Sequence, residues 1–167
     1  MELPKRKCTR LKGYDYNTPG VYFITICTKE RKAILSKIRV GTGVLDGPKN
    51  ELSAYGKTAD AYIRQMSAHY ACLTVDKYVI MPNHIHLLLR VYERDGNGPS
   101  RTPVPTNSII AKFISTLKRF CNKDYGENIW QARSHDHIVR SETDYRIIWE
   151  YIDNNVAKWK EDCFYTA

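Results

Sequence analysis

Hydrophobic and polar positions along this 167-residue chain alternate between two periods. "GVYFITICT" (20–28) is β-branched and aromatic, follows Pro19 and predicts a strand. Between about Ser53 and Ser67 the apolar positions Tyr55, Ala59, Tyr62 and Met66 recur at helical spacing. "CLTVDKYVIM" (72–81) and "HIHLLLRVY" (84–92) predict two strands. Only Pro82 and Asn83 separate them, so they should pair as an antiparallel hairpin. "NSIIAKFISTLKRFCNK" (107–123) predicts an amphipathic helix with Ile110, Phe113, Ile114, Leu117 and Phe120 on one face. Lys112, Lys118, Arg119 and Lys123 mark its other side. "DHIVR" (136–140) predicts a short strand. Ser141 with Asp144 then has the form of a capping box, opening a helix expected to run from Glu142 to about Lys160. Residues 41–50 are turn-rich, and the Gly- and Pro-rich stretch 93–106 predicts a surface loop.

The order is strand, helix, strand, strand, helix, strand, helix. Its first six elements match the βαββαβ pattern of a ferredoxin-like α+β sandwich, with a C-terminal helix added. Residues 1–18 predict a basic N-terminal arm carrying Lys5, Arg6, Lys7, Arg10 and Lys12, and 19–167 a single domain. Fold alone does not specify function.

Composition adds a partner class. Lys and Arg number 26 against 18 Asp and Glu, a net +8 that favours a polyanion such as nucleic acid. The five cysteines form no CxxC pair, which argues for reduced thiols and against a disulfide frame or zinc knuckle. The N-terminus has no apolar signal-peptide core, and no apolar run approaches the ~18 residues that span a bilayer. A cytoplasmic protein without membrane contact is expected.

Two histidines sit one residue apart in "MPNHIHLLLR" (81–90). On a strand, His84 and His86 share a face while Ile85 points to the other, so the two imidazoles can converge on one ion. Two polar residues on a solvated sheet face would be the plainer explanation, but the flanking apolar runs predict a buried hairpin. A second pair, His135 and His137, has the same spacing and competes for the role. Along the last helix, Tyr145, Ile148, Trp149, Ile152, Val156 and Trp159 form an apolar stripe, with Tyr151 and Asn155 stacked on its shoulder. A tyrosine there could simply bound a packed face. Its hydroxyl could also attack a phosphodiester polarised by a divalent ion, with the Asn155 amide completing a mixed N and O site suited to Mg²⁺ or Mn²⁺. No base for the tyrosine proton is identifiable.

"VIMPNHIHLLL", "IWQARSHDHIVR" and "DYRIIWEYIDNNVAKW", together with "RLKGYDYNTPGVYFITICTKER", resemble the single-tyrosine HUH transposases, and among them the REP-associated tyrosine transposases. The similarity covers nearly the whole chain and is weakest at 93–106. It implies His84 and His86 as metal ligands, Asn155 as the third, and Tyr151 as the nucleophile. It also implies an enzyme that nicks single-stranded DNA near hairpins, leaving a 5′-phosphotyrosine link and a free 3′-hydroxyl for ATP-independent strand transfer. Val156 stands where that family usually has proline, so the helix is expected to run on. His135, Asp136, His137 and Arg140 would be structural or face DNA. Lys118, Arg119, Lys123, Arg140 and the basic arm are the candidate DNA contacts, and a homodimer is compatible with the resemblance.

Three rivals are weighed against this reading. A histidine-triad hydrolase needs a third histidine where Leu88 stands. A sheet-based nucleic-acid-binding module would carry the RNP aromatic signature, which is missing. An inactive or domesticated homologue that binds DNA hairpins without cutting them is separated from the enzyme only by assay.

Overall fold

The chain is described by a computed structural model covering residues 14–39, 47–93 and 108–165. In chain order its elements are β1 (Gly20–Cys27), β2 (Ser36–Arg39), β3 (Lys49–Leu52), α1 (Ala54–His69), β4 (Leu73–Ile80), β5 (His84–Val91), α2 (Ile109–Tyr125), β6 (His135–Val139) and α3 (Glu142–Asn154). Strands β4-β5-β1-β6 form one antiparallel sheet in that order. Leaving aside β2 and β3, this is the ferredoxin-like α+β arrangement that the sequence predicts.

Period-2 alternation in the central strands decides what lies on each face. Ile24, Ile26, Ile85, Leu87 and Leu89 face α1 and α2 and pack with Ile63, Met66, Ile110, Phe113 and Leu117 in the main core. Val21 and Leu88 face the other way and join Ile148 and Ile152 of α3 in a smaller cluster. Among the described residues, the apolar contact on this second face of the sheet is a small one, made by α3.

The helices begin where their caps dictate. Ser53, Ser108 and Ser141 each accept a backbone N–H from the first turn, and α2 stops at Gly126, whose φ of 72° suits glycine. Gly56 lets α1 approach the chain at Leu35 so closely that a Cβ there would collide with the Leu35 carbonyl.

Two expectations are corrected. The β2–β3 hairpin does not register as strands in the sequence: each arm is four residues long and mostly polar. It is held from outside, by Ser36 Oγ and Asn50 Nδ2 donating to the Ile80 carbonyl. The last helix ends at Asn154, not near Lys160, although valine follows at 156. Asn155 is still in right-handed helical geometry, but the chain then turns back and makes a 3₁₀ turn at Trp159–Glu161. The returning chain is held by Asp162, which accepts from Asn155 Nδ2, and by Phe164, which packs on His84 and whose carbonyl accepts from Asn83 Nδ2. The basic arm residues Lys5, Arg6, Lys7, Arg10 and Lys12 lie outside the described residues.

Candidate active site

His84 and His86 open β5 and face α3 with their side chains almost wholly buried. Their partners across the sheet are Cys27 and Thr25 of β1. Each ring is held by its Nδ1. Asn83 Oδ1 lies 2.8 Å from His84 Nδ1, and Thr25 Oγ1 lies 2.8 Å from His86 Nδ1. Asn83 can accept there because its Nδ2 donates to the Phe164 and Arg31 carbonyls at 2.8 and 3.3 Å. With Nδ1 carrying the proton, the Nε2 lone pairs are aimed at a common point.

The two Nε2 atoms are 3.0 Å apart. Two donors ~2.1 Å from one ion and at right angles to each other also lie ~3.0 Å apart, so the pair suits an octahedral cation. Burial lowers the pKa of both imidazoles, that of His84 to about 4, and keeps them neutral as ligands must be. The Asp162 carboxylate lies with these nitrogens within 4.8 Å. Asn155 is buried, and its Oδ1 has no hydrogen-bond partner among the described residues. The Asn155 side chain reaches the Asp162 carboxylate through Nδ2, so two converging imidazoles, that carboxylate and an unpaired buried amide oxygen form a donor set that fits a hard divalent ion.

Tyr151 stands over this group. Its ring is half-exposed, edge-on to Phe23 and near His86. The hydroxyl is 3.3 Å from His86 Nε2 and donates to Asp162 Oδ2 at 2.9 Å. The same Oδ2 accepts from Asn155 Nδ2 at 3.1 Å, while Oδ1 accepts from the Phe164 N–H at 2.7 Å. Burial first, and then the bond to Asp162, raise the phenol pKa above its usual value. Phe164 packs against His84, with ring centroids 4.6 Å apart, so the segment after the 3₁₀ turn covers the imidazoles.

His84, His86, Tyr151 and Asn155 are thus brought together. The competing pair is not. His135 and His137 are exposed, and His137 Nε2 pairs with Asp144 Oδ2 at 2.9 Å at the start of α3. Arg140 is exposed and donates its backbone N–H to the same carboxylate oxygen. Lys118 Nζ donates to the Gln131 carbonyl at 2.8 Å, Arg119 lies over the Phe120 ring, and Lys123 is exposed in the last turn of α2. Asp162 is the member that sequence reasoning misses. It lies beyond the apolar stripe, in "KEDCF", with no spacing that ties it to the histidines.

No family model matches the chain. An uncharacterized protein of Haemophilus influenzae is 29% identical over 177 residues, covering 96% of this chain and 93% of that protein. A second H. influenzae protein, provisionally named a REP-associated tyrosine transposase, is 28% identical over 148 residues, covering 86% and 74%. Among solved structures, a REP-associated tyrosine transposase bound to a REP hairpin superposes with a TM-score of 0.62 at 18% identity, over 91% of this chain and 73% of that one. In sequence and in fold, this chain resembles the REP-associated tyrosine transposases.

Proposed function

We propose that residues 19–167 form one catalytic unit, a divalent-metal-dependent enzyme that nicks single-stranded DNA beside a hairpin and transfers the strand through Tyr151. The observation that carries this reading is the placement of the Tyr151 hydroxyl 3.3 Å from His86 Nε2, beside two neutral imidazoles whose Nε2 atoms converge. A hairpin is the chosen substrate because the solved structure that superposes on this chain is bound to one.

His84, His86 and Asn155 would hold Mg²⁺ or Mn²⁺, with the Asp162 carboxylate adding negative charge. When bound, the ion polarises the scissile phosphate and stabilises charge on the departing oxygen. The phenol oxygen of Tyr151 attacks phosphorus, the bond to the 3′-oxygen breaks, and a 5′-phosphotyrosine link forms. The phenol proton passes to Asp162, which already accepts its hydrogen bond, and the 3′-oxygen leaves as a hydroxyl after taking a proton from solvent water. Attack by a 3′-hydroxyl on the tyrosyl phosphate reverses these steps, so strand transfer consumes no nucleotide. Arg119, Lys123, Arg140 and the N-terminal arm are the proposed backbone contacts. In this reading the donors, nucleophile and proton acceptor act in cis.

The test is a denaturing gel of protein incubated with labelled single-stranded hairpin DNA from the flanks of its own gene and Mn²⁺. A protein–DNA adduct that disappears in Tyr151→Phe supports the reading. Hairpin binding without any adduct overturns it and leaves a binding protein.

A further inference from the structure

Strand β4 carries a bulge. Its register with β5 slips between Val75 and Lys77, leaving Asp76 as the extra residue. In a regular strand, neighbours point to opposite faces, but a bulge can aim two consecutive side chains the same way. That is the case here. Val75 and Tyr78 lie in the core under α1, and the Tyr78 hydroxyl donates to Asp60 of that helix at 2.6 Å. Asp76 and Lys77, between them, both reach α3.

Asp76 Oδ2 accepts from the Tyr145 hydroxyl at 3.1 Å and from Arg90 Nε at 2.8 Å, and its Oδ1 accepts from Thr74 Oγ1. Arg90 in turn lies over the Tyr145 ring. Lys77 Nζ pairs with Asp153 and sits 4.0 Å from the centroid of the Trp149 ring. Side-chain exposure of Asp76 and Lys77 is only 13% and 17%, so their ends of these contacts are largely buried. The partner Asp153 is 56% exposed, and its ion pair is the weaker grip. Tyr145, Trp149 and Asp153 are spaced four apart and form one line along α3. The bulge grips that line at three successive turns. Tyr151 sits between the second and third grips, on a helix whose apolar docking is small.

We propose that Asp76 and Lys77 are positioning residues for Tyr151: the bulge clamps α3 so that the hydroxyl is held against the paired imidazoles. This rests on the nucleophile assignment above. Loss of the clamp lets α3 shift by a fraction of its pitch, carrying Tyr151 and the adjoining Asn155 relative to His84 and His86, which stay on β5. Misplacement of a reacting atom by ~1 Å can lower a rate ~100-fold.

The experiment compares wild type, Lys77→Met and Lys77→Arg by hydrogen exchange, Mn²⁺ affinity, hairpin affinity and adduct rate at saturating hairpin. Lys77→Met should exchange faster in α3, keep hairpin affinity, and form adduct about tenfold more slowly or worse even with Mn²⁺ saturating. Lys77→Arg should recover most of both losses. Unchanged α3 exchange in Lys77→Met overturns the clamp. A loosened α3 with an unchanged adduct rate overturns the positioning role. Absence of adduct in wild type would reject the nuclease reading instead, and α3 exchange would still decide whether the clamp exists.

Discussion

The Tyr151 hydroxyl donates to Asp162 Oδ2 at 2.9 Å, across eleven residues that include the end of α3 and a 3₁₀ turn. That bond places a carboxylate at the phenol and near the two imidazole nitrogens together. Replacing Asp162 with asparagine keeps the shape and removes the charge. Mn²⁺ affinity should fall about tenfold or more, by analogy with groups that support metal ligands. With saturating Mn²⁺ the adduct rate should fall about a hundredfold, the scale of a lost proton acceptor. Single-turnover adduct formation checks this; an undiminished rate removes Asp162 from the reaction.

The two histidine pairs make opposite predictions. His84→Ala and His86→Ala should abolish Mn²⁺ binding and adduct formation. His135→Ala should retain both, because His135 is exposed and shares no donor set with the buried pair. Titration of free Mn²⁺ by electron paramagnetic resonance separates the cases, and loss of binding in His135→Ala would mean that the wrong pair is assigned.

How much of this is legible in the sequence follows from the range of the interactions. The His84–Ile85–His86 alternation, the short link at Pro82-Asn83 and the stripe around Tyr151 are local patterns, and each gives the right face of the right element. Asp162 and the Asp76 bulge carry no local pattern. Asp162 acts through a chain reversal, and the bulge breaks the alternation that strand reading depends on. The β2–β3 hairpin and the end of α3 are set by tertiary hydrogen bonds and ring contacts, against a sequence that continues its helical stripe to Trp159.

Stability without metal should depend on pH. Burial depresses the folded-state pKa of His84 to about 4, below its ordinary value. Protonation therefore favours the unfolded chain. The contribution is fully present above the unfolded pKa of ~6.5 and is lost as pH falls through the folded value. In chelator, the melting temperature should drop progressively as pH is lowered from ~6.5 towards ~4, and more shallowly in His84→Gln. Thermal melts across that range check it; parallel profiles for the two proteins would contradict it.

Among the candidate DNA contacts on α2, the structure separates two behaviours. Lys118 holds the Gln131 carbonyl, so Lys118→Ala should lower thermal stability. Exposed Lys123 should instead act through phosphate charge. Lys123→Ala should leave stability unchanged, weaken hairpin binding, and reduce the salt slope by up to ~1. Binding isotherms at several salt concentrations test both, and an unchanged slope removes Lys123 from the interface.

The most direct measurement is the chemical identity of the trapped species. Protein is incubated with hairpin DNA and Mn²⁺, denatured, treated with nuclease and protease, and analysed by mass spectrometry. The account predicts a nucleotide joined through its 5′-phosphate to the Tyr151 peptide, with a free 3′-hydroxyl on the released strand. A nucleotide on another residue, or cleaved DNA with no covalent peptide, would contradict it.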